Sequence, residues 1–219
     1  MFRNYILAPA LAALLLIASS AQGALIDNGD TTIDSATGLE WLDLTLTVGE
    51  SYTDIQAGFG GYVAQGYVHA SLNQLCGLFG ALGDTVPNCS STANDTVDQI
   101  SQSSADTLTS LLGITSGFAS LSAGIFDSGL LPERVGLACI DASGGIGACF
   151  SNLDDPSVIA RRSWQPVASS ASSIGNWLVR PASVPEPFTC SLLVLGLAGL
   201  GYTRGRRGGS CRTNAANRC

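Results

Sequence analysis

Between residues 24 and 181 the chain alternates short apolar runs with clusters of Gly, Asn, Asp and Ser. This pattern predicts short strands joined by tight turns. Asn28-Gly29 lies between two such runs and favours a hairpin, because both residues tolerate the positive φ values of a type I′ turn. Residues 39–46, LEWLDLTL, interleave polar with apolar side chains, which indicates a half-buried strand.

Two capping boxes predict short helices. At Ser51 and again at Ser71, a serine is followed three residues later by Asp or Gln, so that side chains can satisfy free backbone N–H groups of a first helical turn. We expect glycines to end both helices, the first from Gly58 onwards and the second at Gly80 or Gly83.

The clearest helical pattern covers residues 94–113. Apolar residues recur there at the i, i+3 and i+4 spacing, Asn94 or Asp95 can cap the start, and Gly113 stands where a C′ glycine belongs. Short β-like runs follow. The order of strands, helices and strands predicts an α+β fold for residues 24–181, a single compact domain with short antiparallel strands and two or three helices.

The first 23 residues have the tripartite form of a secretory signal peptide. Arg3 supplies the positive charge, residues 5–18 form an apolar stretch, and small residues precede a cleavage site between Gly23 and Ala24. The alternative is an anchor that stays attached. A signal peptide predicts that residues 24–181 form an exported domain, in a compartment that permits disulfides.

The C-terminal region predicts a membrane segment. Residues 182–187 form a Pro-containing linker, residues 188–203 are predicted to be a transmembrane helix, and residues 204–219 a basic cytoplasmic tail. The uncharged apolar run itself, residues 188–202, is slightly shorter than most spanning helices. The arginines that follow it favour the cytoplasmic side.

The distribution of charge excludes one class of partner. The chain has ten arginines, no lysine and 17 acidic residues. Between residues 24 and 187, four arginines stand against all 17 acids, a net charge of −13. Because nucleic-acid binding needs a positive surface, this body is not expected to bind nucleic acid.

Four cysteines of the exported region are candidates for disulfides. Cys76, Cys89, Cys139 and Cys149 allow three connectivities, which the sequence alone leaves open. We favour the local pairs, Cys76 with Cys89 and Cys139 with Cys149, since the second pair brackets a turn-forming segment. Zinc is the alternative, but C-x-x-C is absent and the chain has a single histidine.

No motif marks a catalytic centre. His69 is the only histidine, and no G-x-S-x-G segment is present to bring a serine nucleophile to it, so we expect His69 to have a structural, hydrogen-bonded role. The acidic runs at residues 27–30 and 153–157 suggest calcium, but neither has the alternating ligands of a calcium loop. We therefore expect no catalytic residue, metal or cofactor.

The C-terminal segment resembles the PEP-CTERM sorting signal of exopolysaccharide-producing Gram-negative bacteria. The matching parts are Val184, Pro185, Glu186 and Pro187, an apolar segment at residues 192–200, and Arg204, Arg206 and Arg207. The resemblance implies recognition by an exosortase in the inner membrane, followed by delivery to the cell surface or extracellular matrix. The chain departs from the family by continuing after its arginines through GGSCRTNAANRC.

The body also resembles PEP-CTERM proteins without assigned activity, through residues 24–52, 66–75, 111–117 and 175–181. The opening D-x-G-D…D-x-A-T-G-L-x-W and the W-x-V-R close are similar to the lectin-like C-terminal domain of a collagen-like bacterial adhesin. This resemblance implies an α+β unit whose first and last strands pair.

Three functions are compatible with these features. The leading hypothesis is a non-enzymatic module that binds exopolysaccharide in a biofilm matrix. The alternative is a secreted glycoside hydrolase that uses two carboxylates, and the third is a passive structural component of the matrix. Of the three tryptophans, Trp41 and Trp177 lie among apolar neighbours and are expected in the core, whereas Trp164 is the candidate ligand contact.

Overall fold

Two five-stranded β-sheets form the framework of the described part of the protein. The computed structural model describes residues 24–89, 95–116, 120–130, 134–142 and 155–183. The strands are β1 (Leu25–Asp27), β2 (Thr31–Asp34), β3 (Leu39–Leu42), β4 (Val68–His69), β5 (Asp95–Gln99), β6 (Leu121–Phe126), β7 (Arg134–Asp141), β8 (Ser157–Pro166), β9 (Gly175–Asn176) and β10 (Leu178–Pro181). The first sheet has the order β1-β2-β3-β10-β4, and the second has β5-β8-β7-β6-β9.

Three α-helices lie between the strands in the described residues. They are α1 (Tyr52–Gln56), α2 (Leu72–Phe79) and α3 (Gln102–Leu112), and three short 3-10 turns cover Leu44–Thr47, Phe59–Gly61 and Val63–Gln65. Both predicted capping boxes are confirmed. The side chains of Ser51 and Ser71 each accept a hydrogen bond from the backbone N–H three residues on.

The first sheet is antiparallel throughout. The predicted hairpin at Asn28-Gly29 is confirmed, since β1 and β2 pair across it and Gly29 has a φ of +82°. The strand expected over residues 39–46 is shorter, because it ends at Leu42. The Asp43 carboxylate there accepts a hydrogen bond from the Thr45 N–H and starts a 3-10 turn.

The last strand lies in the interior of the first sheet. β10 pairs with β3 on one side and with β4 on the other. The expectation that the first and last strands pair is therefore wrong, since β1 pairs with β2 at the sheet edge. Instead, β10 pairs with the side of β3 that the β2–β3 pairing leaves free.

The helix predicted over residues 94–113 is wrong in its first half. Residues Asp95–Gln99 form strand β5, and Ser101, rather than Asn94 or Asp95, caps helix α3. The strand buries Thr96 and Asp98 and exposes Val97. Because the buried positions are polar, the apolar residues of this segment do not follow the two-residue repeat of the strand, and their spacing indicates a helix instead.

The second sheet contains one parallel pair of strands, and the main core lies next to the point where the chain passes between the two sheets. β9 joins the edge of this sheet in parallel with β6, an exception to the expected antiparallel pairing. The main apolar core contains both Trp41 and Trp177, which are fully buried as predicted and lie edge to face at 6.4 Å. Trp177 stands where the chain passes from β9 in the second sheet to β10 in the first.

The architecture confirms an α+β domain with a disulfide. Cys76 and Cys89 are bonded as expected, with their Cα atoms 5.6 Å apart. Cys139 is also disulfide-bonded, and Cys149, its predicted partner, lies outside the described residues. The signal peptide and the predicted transmembrane segment also lie outside them. Within the described residues, no helix is long and apolar enough to cross a membrane.

Candidate functional site

A polar cleft opens on the face of the first sheet that lies away from the main core. Its volume is about 460 Å³. One wall is the end of the β1–β2 hairpin, the floor is formed by β3 and β10, and the other wall is the segment from the 3-10 turns to β4. The lining residues are Asn28, Asp30, Thr31, Glu40, Leu42, Leu46, Tyr62, Gln65, Tyr67 and Arg180.

An ion pair between two strands forms the floor of the cleft. The register of β3 and β10 places Arg180 directly opposite Glu40. The Glu40 Oε1 atom accepts hydrogen bonds from the Arg180 guanidinium and from the Tyr67 hydroxyl, both at 2.8 Å. Arg180 also donates to the backbone carbonyl of Gln65 at 3.1 Å. The pair therefore ties three separate segments together.

The Glu40 carboxyl is held in its ionised form. Burial alone raises its pKa, but the hydrogen bonds from Arg180 and Tyr67 and the positive charge of Arg180 outweigh burial, so the pKa lies below its usual value. The pKa of Tyr67 is raised, by burial first and by its hydrogen bond to Glu40 second. This arrangement keeps a proton on Tyr67 and off Glu40 at neutral pH.

Two tyrosines supply the aromatic surface of the cleft. The Arg180 guanidinium carbon lies 4.5 Å from the centre of the Tyr67 ring, so Tyr67 is covered on that face. Tyr62 packs edge to face against Tyr67, with ring centres 6.2 Å apart, and remains half-exposed. Its position depends on Gly60, which has a φ of +63° and where a Cβ would collide with the Tyr62 ring.

The rim of the cleft carries polar side chains that make few hydrogen bonds to other described residues. Asp30 and Gln65 are exposed, and neither side chain makes a hydrogen bond to another described residue. Asn28 makes one long contact, 3.5 Å from its amide nitrogen to the Thr31 hydroxyl. The carboxylate can accept hydrogen bonds and the two amides can both donate and accept them, which suits the hydroxyl groups of a sugar.

His69 has the structural role expected from the sequence. Its Nδ1 atom lies 3.2 Å from the Gln56 amide nitrogen, and its Nε2 atom lies 3.0 Å from the Asn176 side-chain oxygen. The Asn176 amide nitrogen donates to the Glu50 carbonyl, so its oxygen faces His69 and fixes the N–H on Nε2. The Tyr52 ring stacks on the imidazole at 3.9 Å. No nucleophile is among these partners.

The predicted ligand contact lies elsewhere. Trp164 is on β8 of the second sheet, half-buried against a small apolar cluster that includes Leu137, Cys139 and Ile159. Its backbone carbonyl accepts a hydrogen bond from Arg134. Trp164 is absent from the lining of the cleft, so the structure does not bring it together with Tyr62.

The residues of the sorting motif lie outside the described part of the chain. These are Val184, Pro185, Glu186, Pro187, Arg204, Arg206 and Arg207, and Gly23 of the predicted cleavage site also lies outside it. Ala24 is described, and its backbone pairs with Ser35: the Ser35 N–H donates to the Ala24 carbonyl at 3.1 Å.

Sequence reasoning missed Glu40, Tyr62, Tyr67 and Arg180 as members of one site. One signal was present, because Glu40 is a charged residue between the apolar side chains of a predicted strand. Comparison with known proteins adds no relative. A scan against protein-family models, a search of curated proteins and a search of solved structures each find no match.

Proposed function

We propose that this protein is exported, sorted through its C-terminal segment by an exosortase, and binds exopolysaccharide in the cleft of its first sheet. The observation that supports binding is the combination, in one cleft, of a half-exposed tyrosine with unused carboxylate and amide groups. Aromatic faces pack against the apolar side of a sugar ring, and polar side chains around them bond its hydroxyls.

The proposal of a non-enzymatic role is supported by the state of Glu40. A glycosidase needs one carboxyl group with a raised pKa to act as general acid. The cleft has two carboxylates, those of Asp30 and Glu40, but the pKa of Glu40 is lowered and its oxygen already accepts two internal hydrogen bonds. This favours a binding module over the alternative, a hydrolase of the same polysaccharide.

Sorting is supported by the sequence of the C-terminal segment, in which Val184-Pro185-Glu186-Pro187, an apolar run and an arginine cluster follow one another. The inner membrane would hold the protein before processing, and the cell surface or matrix afterwards. The test is the intact mass and the cell fraction of the protein, from hosts with and without the exosortase. A protein that lacks both ends and lies outside the cell only when the enzyme is present supports the proposal. A full-length protein in the inner membrane of both strains contradicts it.

Binding is tested by sedimentation with the purified exopolysaccharide of the host. We expect Tyr62→Ala to reduce the bound fraction at least tenfold, because it removes the aromatic contact of the cleft. Phe59→Ala is the matched control, since Phe59 is a nearby exposed aromatic residue outside the cleft lining. Equal loss in both variants, or no loss in either, would place binding somewhere else.

A further inference from the structure

We infer that the cleft selects sugars by charge: it accepts neutral and amino sugars and rejects uronic acids and other anionic sugars. This inference rests on the proposed function, because it concerns the ligand class of the same cleft. The supporting observation is that Arg180 in the cleft is paired with Glu40, whereas Asp30 at the rim has no cation beside it among the described residues.

Among the residues that the structure describes, Arg180 is the only cation in the lining of the cleft. Its guanidinium donates to Glu40 at 2.8 Å and to the Gln65 carbonyl at 3.1 Å, and it covers the Tyr67 ring. A sugar carboxylate that used this guanidinium would compete with a carboxylate fixed beside it and would be repelled by it. The positive charge of Arg180 is therefore already paired with Glu40 and does not attract an anionic sugar.

The remaining charge at the rim is negative. Asp30 is exposed at the end of the hairpin, and its carboxylate has no hydrogen-bond partner among the described residues. With Glu40 neutralised by Arg180, the lining carries a net charge of −1. The chain around the cleft adds the same sign, since residues 24–187 hold four arginines against 17 acids. Both the local and the overall field oppose an anionic polymer.

The same groups favour a polyol without negative charge. The hydroxyls of a sugar both donate and accept, and the rim offers the Asp30 carboxylate as acceptor and the Asn28 and Gln65 amides as donors and acceptors. An ammonium group on an amino sugar would gain in addition from Asp30 and from the face of Tyr62. Neutral sugars would be bound without that gain.

The test uses the full chain in a detergent without a sugar headgroup. Oligosaccharides from the host exopolysaccharide, separated on ion exchangers into neutral, cationic and anionic fractions, are titrated by calorimetry. We expect the neutral and cationic fractions to bind and the anionic fraction to bind at least about tenfold more weakly, the effect of one like charge about 6 Å away at a partly exposed site. Tyr62→Ala should abolish binding of every fraction that binds.

Asp30→Asn separates the charge from the shape of the cleft. We expect it to weaken binding of the cationic fraction about tenfold and binding of the neutral fraction far less, because the asparagine oxygen still accepts a hydrogen bond but carries no charge. Asp106→Asn, on an exposed helix surface, should change neither. If the anionic fraction binds best and Tyr62→Ala abolishes that binding, the charge selection is wrong and the binding function stands. If no fraction binds, or binding ignores Tyr62→Ala, the proposed function fails and this inference fails with it.

Discussion

The single histidine makes the stability of this fold dependent on pH in a predictable way. His69 is only 7% exposed, and burial lowers its pKa to about 4, although the hydrogen bond to Asn176 and the charge of Asp127 both raise it. In the unfolded chain its pKa is the ordinary 6.5. Protonation of His69 therefore favours the unfolded chain. The contribution of the neutral His69 to the free energy of unfolding is complete above pH 6.5 and is lost as the pH falls towards 4.

The size of the effect follows from the two pKa values. One unit of pKa difference corresponds to about 1.36 kcal/mol, so the loss between pH 7.5 and pH 5 is about 2 kcal/mol. This window is chosen because the carboxyl groups of Glu40 and Asp54 have lowered pKa values and change charge only at more acid pH. His69 is the only histidine, so no other imidazole contributes to the loss.

Urea unfolding at half-unit steps from pH 7.5 to pH 5 measures this loss. We expect the free energy of unfolding of the natural protein to fall by about 2 kcal/mol, and that of His69→Gln to stay within about 0.5 kcal/mol, because glutamine does not titrate. A second measurement uses the unaltered protein: the proton NMR signal of the imidazole should titrate with a midpoint near 4 in the folded state. A midpoint near 6.5, or an equal loss in His69→Gln, would refute the reasoning.

Two further predictions concern the joint between the sheets and the floor of the cleft. Gly175→Ala should destabilise the protein by about 1–3 kcal/mol in a thermal melt, because the Cβ of the alanine would collide with the backbone carbonyl of a neighbouring 3-10 turn. Gly77→Ala is the control: Gly77 lies in a helix with open space around it, so this change should stabilise the protein by up to about 1 kcal/mol. Arg180→Ala should lower the free energy of unfolding by about 2 kcal/mol at pH 7 and by less at pH 4, where the buried Glu40 can take up a proton. Arg134→Ala is the control: Arg134 is exposed, and its loss should cost under about 0.5 kcal/mol. Equal melts for the two glycine variants, or an Arg180→Ala cost that does not depend on pH, would contradict the respective argument.

Local signals in the sequence predicted local structure well. The capping boxes at Ser51 and Ser71 and the hairpin at Asn28-Gly29 were read correctly, because each depends on neighbouring residues that bond to one another. The strand at residues 95–99 was not predicted, because its burial depends on contacts with residues that are not its neighbours in the sequence. It buries Thr96 and Asp98, and Asp98 accepts hydrogen bonds from the backbone N–H and the side-chain amide of Asn88. A strand whose buried positions are polar, and whose Asp98 bonds to a residue ten positions earlier, shows no alternation of apolar residues in the sequence.

The cleft could not be predicted because its parts come from distant segments. Glu40 and Arg180 are 140 residues apart, and only the pairing of β3 with β10 places them opposite each other. The sequence pattern indicates Trp164 as the aromatic ligand contact, whereas the half-exposed ring in the cleft is Tyr62. Its exposure depends on the conformation of the preceding glycines, which spacing alone does not reveal.

The position of β10 connects the cleft to the proposed sorting of the protein. The strand supplies Arg180 to the floor of the cleft, and the hydrogen bond from the Ala182 N–H to the Gly38 carbonyl, at 2.8 Å, extends its attachment by one residue. The motif that resembles a sorting signal begins at Val184, two residues further on. Removal of the chain from this motif onwards would leave β10 and the Glu40–Arg180 pair complete. Removal of four more residues would take Arg180 from the cleft and leave Glu40 buried without its cation. If the proposed processing occurs, the cleft therefore stays intact only when the chain is cut after Arg180.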